Sequence, residues 1–165
     1  MCAIYKKDIL KKGKIEFACD IRYGEDTLFF LQYLRNCSNN IAFTENSLYQ
    51  YYNVKTSAMH IITYGRIHNV YACQRAVDYW EDDQACHSEW KTYLINRALW
   101  AIAKDFACFS NLEFFSKLQR EYDLKAAMKD MLKNGDEILI RISAAVYLIS
   151  PRGFFYSFAI INKLR

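Results

Sequence analysis

Glu25 and Asp26 are adjacent carboxylates that follow a glycine, within Tyr23-Gly24-Glu25-Asp26-Thr27-Leu28-Phe29-Phe30. A carboxylate is ionised at neutral pH. It can take a proton from a hydroxyl that comes within about 3 Å, so the pair offers general-base chemistry. The same residues also have a structural use. Phe29, Phe30, Tyr33 and Leu34 recur at helical spacing and predict a helix over 25–36, entered through Gly24. Acidic residues in a first turn satisfy free N–H groups and suit the positive end of the helix dipole.

Further polar groups follow. Residues 41–44 and 48–52 read as short strands, the second rich in strand-favouring aromatics, including Tyr49 and Tyr51. Lys55, Ser57 and His60 come next. Taken alone, each has an ordinary reading: the tyrosines as packing, Lys55 as a solvated cation, His60 as a surface residue.

In order, these segments are a Tyr5-Lys6-Lys7-Asp8-Ile9-Leu10 lead-in, an Ile15-Glu16-Phe17 strand, Gly24-Glu25-Asp26, an amphipathic helix, the Tyr49-Gln50-Tyr51 strand and a loop serine. Over residues 3–60 this resembles the C-terminal end of the catalytic domain of family 2 glycosyltransferases of the GT-A fold. The resemblance implies an inverting sugar transfer to a saccharide or lipid-linked acceptor in surface polysaccharide or glycoconjugate synthesis. Asp26 would be the base and Glu25 its flanking carboxylate. It implies acceptor or phosphate contacts from Tyr49, Tyr51, Lys55 and Ser57, and a metal or diphosphate contact from His60. In such enzymes a nucleotide sugar and a divalent metal, Mn or Mg, bind the N-terminal half through D-x-D. This sequence has no D-x-D, no Gly-rich phosphate loop and no βαβ series. The resemblance therefore places Met1 inside the family's domain, as in a truncated gene product or a separately made C-terminal part. The chain by itself is then expected to bind no donor or cofactor and to be inactive.

Positioning these groups requires a fold, and the composition limits the choice. The 165 residues are 53% hydrophobic and 16% aromatic, with five Gly and one Pro. So few breakers predict long helices and short connections. The net charge of +4 is interleaved with acids throughout residues 1–108. It is too dilute for a nucleic-acid footprint, so no nucleic-acid partner is expected. The six cysteines include no C-x-x-C and no zinc spacing, and nothing at the start reads as a signal peptide. The reading is a reduced, cytoplasmic chain.

The expected fold is mainly α. Residues 1–56 form a small α/β remnant with short strands before residue 55, and 57–165 an all-helical extension. A helix over 3–12 stops at Gly13. After Ser57 the pattern predicts a helix up to Glu81-Asp82-Asp83, then one capped by Ser88. Ser110-Asn111-Leu112-Glu113 reads as a capping box, 121–133 as a helix stopped by Asn134-Gly135, and Asp136 as the cap of a helix interrupted at Pro151. No uncharged apolar run reaches 18 residues. Residues 137–165 carry Arg141, Arg152 and Lys163 among isoleucines and phenylalanines. They read either as the last faces of a helical core or as an amphipathic pair on the inner membrane face. The other functional class left open is a non-catalytic α-helical interaction module, in which Gly24-Glu25-Asp26 is only a helix start.

Overall fold

A computed structural model describes residues 4–38, 42, 61–80 and 88–164. Within them the chain is helical: α1 (Lys7–Gly13), α2 (Glu25–Arg35), a 3-10 turn (Tyr64–Ile67), α3 (His68–Tyr79), α4 (Ser88–Cys108), α5 (Leu112–Glu121), α6 (Leu124–Asn134), α7 (Ile138–Ile149) and α8 (Pro151–Lys163). No strand occurs among the described residues. The mainly α architecture is thus as expected. The paired strands over 41–44 and 48–52, and the domain boundary near 56, lie outside the described residues apart from Ala42.

The expected strand at Ile15–Phe17 is corrected. Lys14 takes a left-handed φ of 49° and ends α1, with Ile15 N–H donating to the Leu10 carbonyl at 3.0 Å and Lys14 N–H to that of Lys11 at 3.3 Å. This is the bonding of a Schellman stop, which takes the Ile15 donor a ladder would need. The stop residue is Lys14, not Gly13. Gly13 is needed for a different reason: a Cβ there would lie 2.9 Å from Asn36 Cγ at the end of α2.

α4 is the central helix and packs against α3, α5, α6 and α8. Ala98, Leu99, Ile102, Ala103, Phe106 and Ala107 are buried along it. Leu124, Ala127, Met128 and Met131 bring α6 onto the same core at i, i+3, i+4 and i+7. α7 follows with Ile140, Ala144 and Tyr147, and α8 with Phe154, Phe155 and Phe158. The one buried side-chain bond between α4 and α7 runs from Trp100 Nε1 to Ser143 Oγ at 2.9 Å, among the described residues, and Ser143 Oγ in turn donates to the Ile140 carbonyl. Both polar groups are satisfied, as burial requires.

The caps differ from expectation at two helices. Asn111, not Ser110, caps α5, its Oδ1 accepting from Phe114 N–H at 2.9 Å. Ser110 instead adopts φ 55° as the chain leaves α4. Glu137, not Asp136, stands at the α7 start without a side-chain cap. Asp136 is drawn sideways to α4: a hydrogen bond from Tyr93 and the nearby Arg97 hold its carboxyl below the ordinary carboxylate range. α8 has the start its sequence announces, with Pro151 at its first turn and Ser150 Oγ accepting from Gly153 N–H at 3.0 Å.

The core also sets thiol chemistry. Cys73 on α3 is buried, and burial pushes its thiol up to about 11. Cys19 is exposed. At pH 8 iodoacetamide should modify Cys19 quickly in the folded chain and reach Cys73 only after denaturation. Against the ordinary value of 9.0, the thiolate fraction of Cys73 is lower by about a hundredfold. Equal labelling rates, read by peptide mass, would contradict this packing.

Candidate functional site

Gly24 has φ 84° and hands the chain into α2, whose first bond runs from Leu28 N–H to the Gly24 carbonyl at 3.0 Å. Its lack of a side chain has a second cause. A Cβ at Gly24 would stand 2.5 Å from Asn69 Oδ1 and 3.1 Å from Ala72 Cβ, so α3 presses directly on the start of α2. Leu28 of α2 and Ala72 and Ala76 of α3 form a small apolar cluster behind that contact, joined by Ile21.

Glu25 and Asp26 lie in the first turn of α2, Glu25 half-buried and Asp26 exposed. Asp26 Oδ1 accepts from Thr27 N–H at 2.7 Å and from the Thr27 hydroxyl at 3.4 Å. Oδ2 has no partner among the described residues. A phenol stands nearby. Tyr5 packs edge-on against Phe29 and Tyr33, with ring centres 5.1 and 4.9 Å away, and Lys6 N–H donates to the Tyr33 hydroxyl at 3.0 Å. Burial, then the Asp26 carboxylate, then Tyr33 raise the Tyr5 hydroxyl above its ordinary value. Tyr5 thus stays a neutral phenol within the field of the Asp26 carboxylate. The lead-in Tyr-x-x-x-Ile pattern placed it only as a fold element; its nearness to Asp26 arises from α1 folding back on α2.

Tyr23, just before Gly24, reaches the helical core. The Arg66 guanidinium lies 5.9 Å from its ring centre, and Arg66 is buried and paired with Asp105 of α4. On the other side, Arg22 N–H donates to His68 Nδ1 at 3.1 Å. Asn69, Arg66 and His68 were not singled out from the sequence. No periodic or motif signal marks them, because their roles depend on α3 meeting α2.

Tyr49, Tyr51, Lys55, Ser57 and His60 lie outside the described residues. Among the described residues no cluster of three or more His, Cys, Asp or Glu could hold a metal ion. Glu25 and Asp26 alone do not make a metal site. A cleft of about 460 Å³ opens between α5 and α8, lined by Phe115, Gln119, Arg152 and Tyr156 among others, and another of about 390 Å³ lies beside Asp8, Lys12 and Arg35. Neither includes Asp26.

The chain matches no known protein family, no curated protein and no solved structure.

Proposed function

We propose that this chain carries the acceptor side of an inverting sugar transfer, with Asp26 as the general base. The observation that supports this is the placement of Asp26: an exposed carboxylate at the open start of an amphipathic helix, one oxygen held by Thr27 and the other turned to no partner among the described residues. In the reaction the acceptor hydroxyl attacks the anomeric carbon of the donor sugar. Asp26 Oδ2 takes its proton as the new C–O bond forms. The bond to the nucleoside diphosphate breaks, and its electrons leave with the phosphate oxygen. Glu25 flanks the base and orients the acceptor, and Tyr49, Tyr51, Lys55 and Ser57 are the expected acceptor and phosphate contacts. Donor sugar and metal would belong to a nucleotide-binding half with a D-x-D, with His60 the expected metal or diphosphate contact from this chain.

A second reading has its own support. A side chain at Gly24 is barred by its φ of 84° and by Asn69 and Ala72 whatever Glu25 and Asp26 do. The chain would then be a non-catalytic helical interaction module, with the acidic pair serving only the helix start.

Asp26→Asn separates the two. In a protein carrying this chain together with a nucleotide-binding half, the substitution should lower sugar transfer about 10²–10⁴-fold. Helix content and melting should stay unchanged, since Asn also accepts a hydrogen bond. Near-normal turnover would remove Asp26 from the mechanism. The 165-residue chain alone should show no heat of binding with UDP-sugars and manganese; micromolar affinity would put the donor site inside it.

A further inference from the structure

The outer face of α7 is apolar. Ile138, Ile142 and Ile149 stand on one side at i, i+4 and i+11, and all three are exposed, Ile149 at 86%. Leu139 widens the face and Arg141 is the single charge of the helix. A helix apolar on all sides is ordinarily covered on all sides. α8 repeats the pattern with Tyr156, Ile160 and Leu164 at i, i+4 and i+8, exposed outside the buried Phe154, Phe155 and Phe158. Arg152 and Lys163 share that side of α8 with Tyr156 at i−4 and i+7, and both are exposed. The inner faces of this tail complete the core, and its outer faces are exposed.

The charge distribution identifies the occupant. All eighteen acidic residues of the chain precede Ile138, where eighteen lysines and arginines match them. The four remaining cations, Arg141, Arg152, Lys163 and Arg165, are the whole net charge of the protein. Past Asp136 and Glu137, which are exposed at the start of α7, the segment that carries these isoleucines has positive charge and no negative charge. A protein surface that met it would find few acids to pair with its own cations. A second copy joined through the same face by a two-fold axis would set Arg152 and Lys163 against their own like. An anionic bilayer supplies what the face lacks, hydrocarbon for the isoleucines and phosphate or carboxylate for the cations. The lengths agree: twelve residues of α7 reach about 18 Å, short of the roughly 30 Å hydrocarbon layer. Among the described residues no helix is long and apolar enough to cross a membrane.

We infer that the outer faces of α7 and α8 dock this protein in the plane of an anionic lipid surface, isoleucines inserted and Arg152 and Lys163 at the headgroups. This stands apart from the sugar-transfer reading, since it uses other helices and its test needs no activity.

The test is flotation of the full chain with vesicles of phosphatidylcholine alone or with phosphatidylserine. Co-flotation should require phosphatidylserine and should fall as salt rises to about 1 M, where the screening length is about 3 Å. Arg152→Glu with Lys163→Glu should weaken vesicle binding at least about tenfold. Ile142→Ser with Ile149→Ser should weaken it comparably while circular dichroism and melting stay as in the wild type, because both side chains are exposed. A chain that stays unbound to phosphatidylserine vesicles at low salt overturns the proposal, as does equal binding to both vesicle types. So does an isoleucine pair variant that floats like the wild type. Self-association in sedimentation equilibrium that the isoleucine variant abolishes, with no vesicle uptake, assigns the face to a second copy instead.

Discussion

Phe106→Ala should destabilise the chain by about 3–5 kcal/mol. Phe106 has no exposed surface and sits on the helix against which α3, α5, α6 and α8 all pack. Its ring stacks on Tyr64 at 5.8 Å between centres and meets Phe114 at 5.5 Å. What sets the size of the loss is how far the neighbours can close the hole. Tyr64 cannot swing in freely, because its hydroxyl donates to Glu121 and the Lys117 ammonium stands 4.0 Å over its ring. Burial and the bond to Glu121 both raise that hydroxyl far above its ordinary value, so it stays a donor throughout the stable pH range. The cavity therefore remains largely open. Against a total stability of about 5–15 kcal/mol, the loss would lower the melting temperature by roughly 10 °C. Ile142→Ala, at an exposed site on α7, should stay within about 0.5 kcal/mol. Urea unfolding followed at the helix band reads both. A Phe106→Ala loss below about 1 kcal/mol would show that this core is not the one that holds the chain.

Much of this core is visible in the apolar spacing of residues 90–163. Ala98, Leu99, Ile102 and Phe106 fall where the helical period places them, and Pro151 divides α7 from α8 as its missing N–H requires. The boundaries are less legible, since a cap is decided by backbone angles that no composition carries. Ser110 looks as good a cap as Asn111, yet the left-handed turn at Ser110 gives the bond to Asn111. Ile15-Glu16-Phe17 has strand residues, but three residues cannot show that the α1 stop already uses the Ile15 donor. Isoleucines on α7 look alike in sequence whether they face the core or solvent; only the packing of α7 sorts the buried Ile140 from the exposed Ile142. At the candidate site, the glycine and the two carboxylates were legible with the helix they open. Tyr5, Arg66 and Asn69 were not, because each reaches the site through tertiary packing that no local pattern carries.

Asp105→Asn should destabilise the chain by about 2–3 kcal/mol. Arg66 is buried, with its side chain 9% exposed, in the turn that leads into α3, and its Nη1 donates to Asp105 Oδ2 of α4. The rings of Tyr23 and Phe109 flank the guanidinium at 5.9 and 5.6 Å. An amide at position 105 keeps the volume and an acceptor but removes this carboxylate's charge, putting a neutral group beside the buried guanidinium. Complete burial would put the loss nearer 3–5 kcal/mol. The Asp105 side chain is 30% exposed, so water and the Lys104 ammonium 3.8 Å away already share its charge and lower the figure. Arg66→Met with Asp105→Leu removes both charges together and should cost less than Asp105→Asn alone, since a buried pair contributes little beyond an apolar replacement of similar size. The change should also be felt at Gly24-Glu25-Asp26. Tyr23 rests against Arg66 and directly precedes the left-handed turn, so hydrogen exchange at the first amides of α2 should speed up in Asp105→Asn more than in Phe106→Ala variants compared at equal global stability. An Asp105→Asn chain within about 0.5 kcal/mol of the wild type, or a double variant weaker than the single one, would mean that Asp105 is not what neutralises Arg66. The start of α2 would then be held by the Asn69 and Ala72 contacts at Gly24 and the apolar cluster behind them.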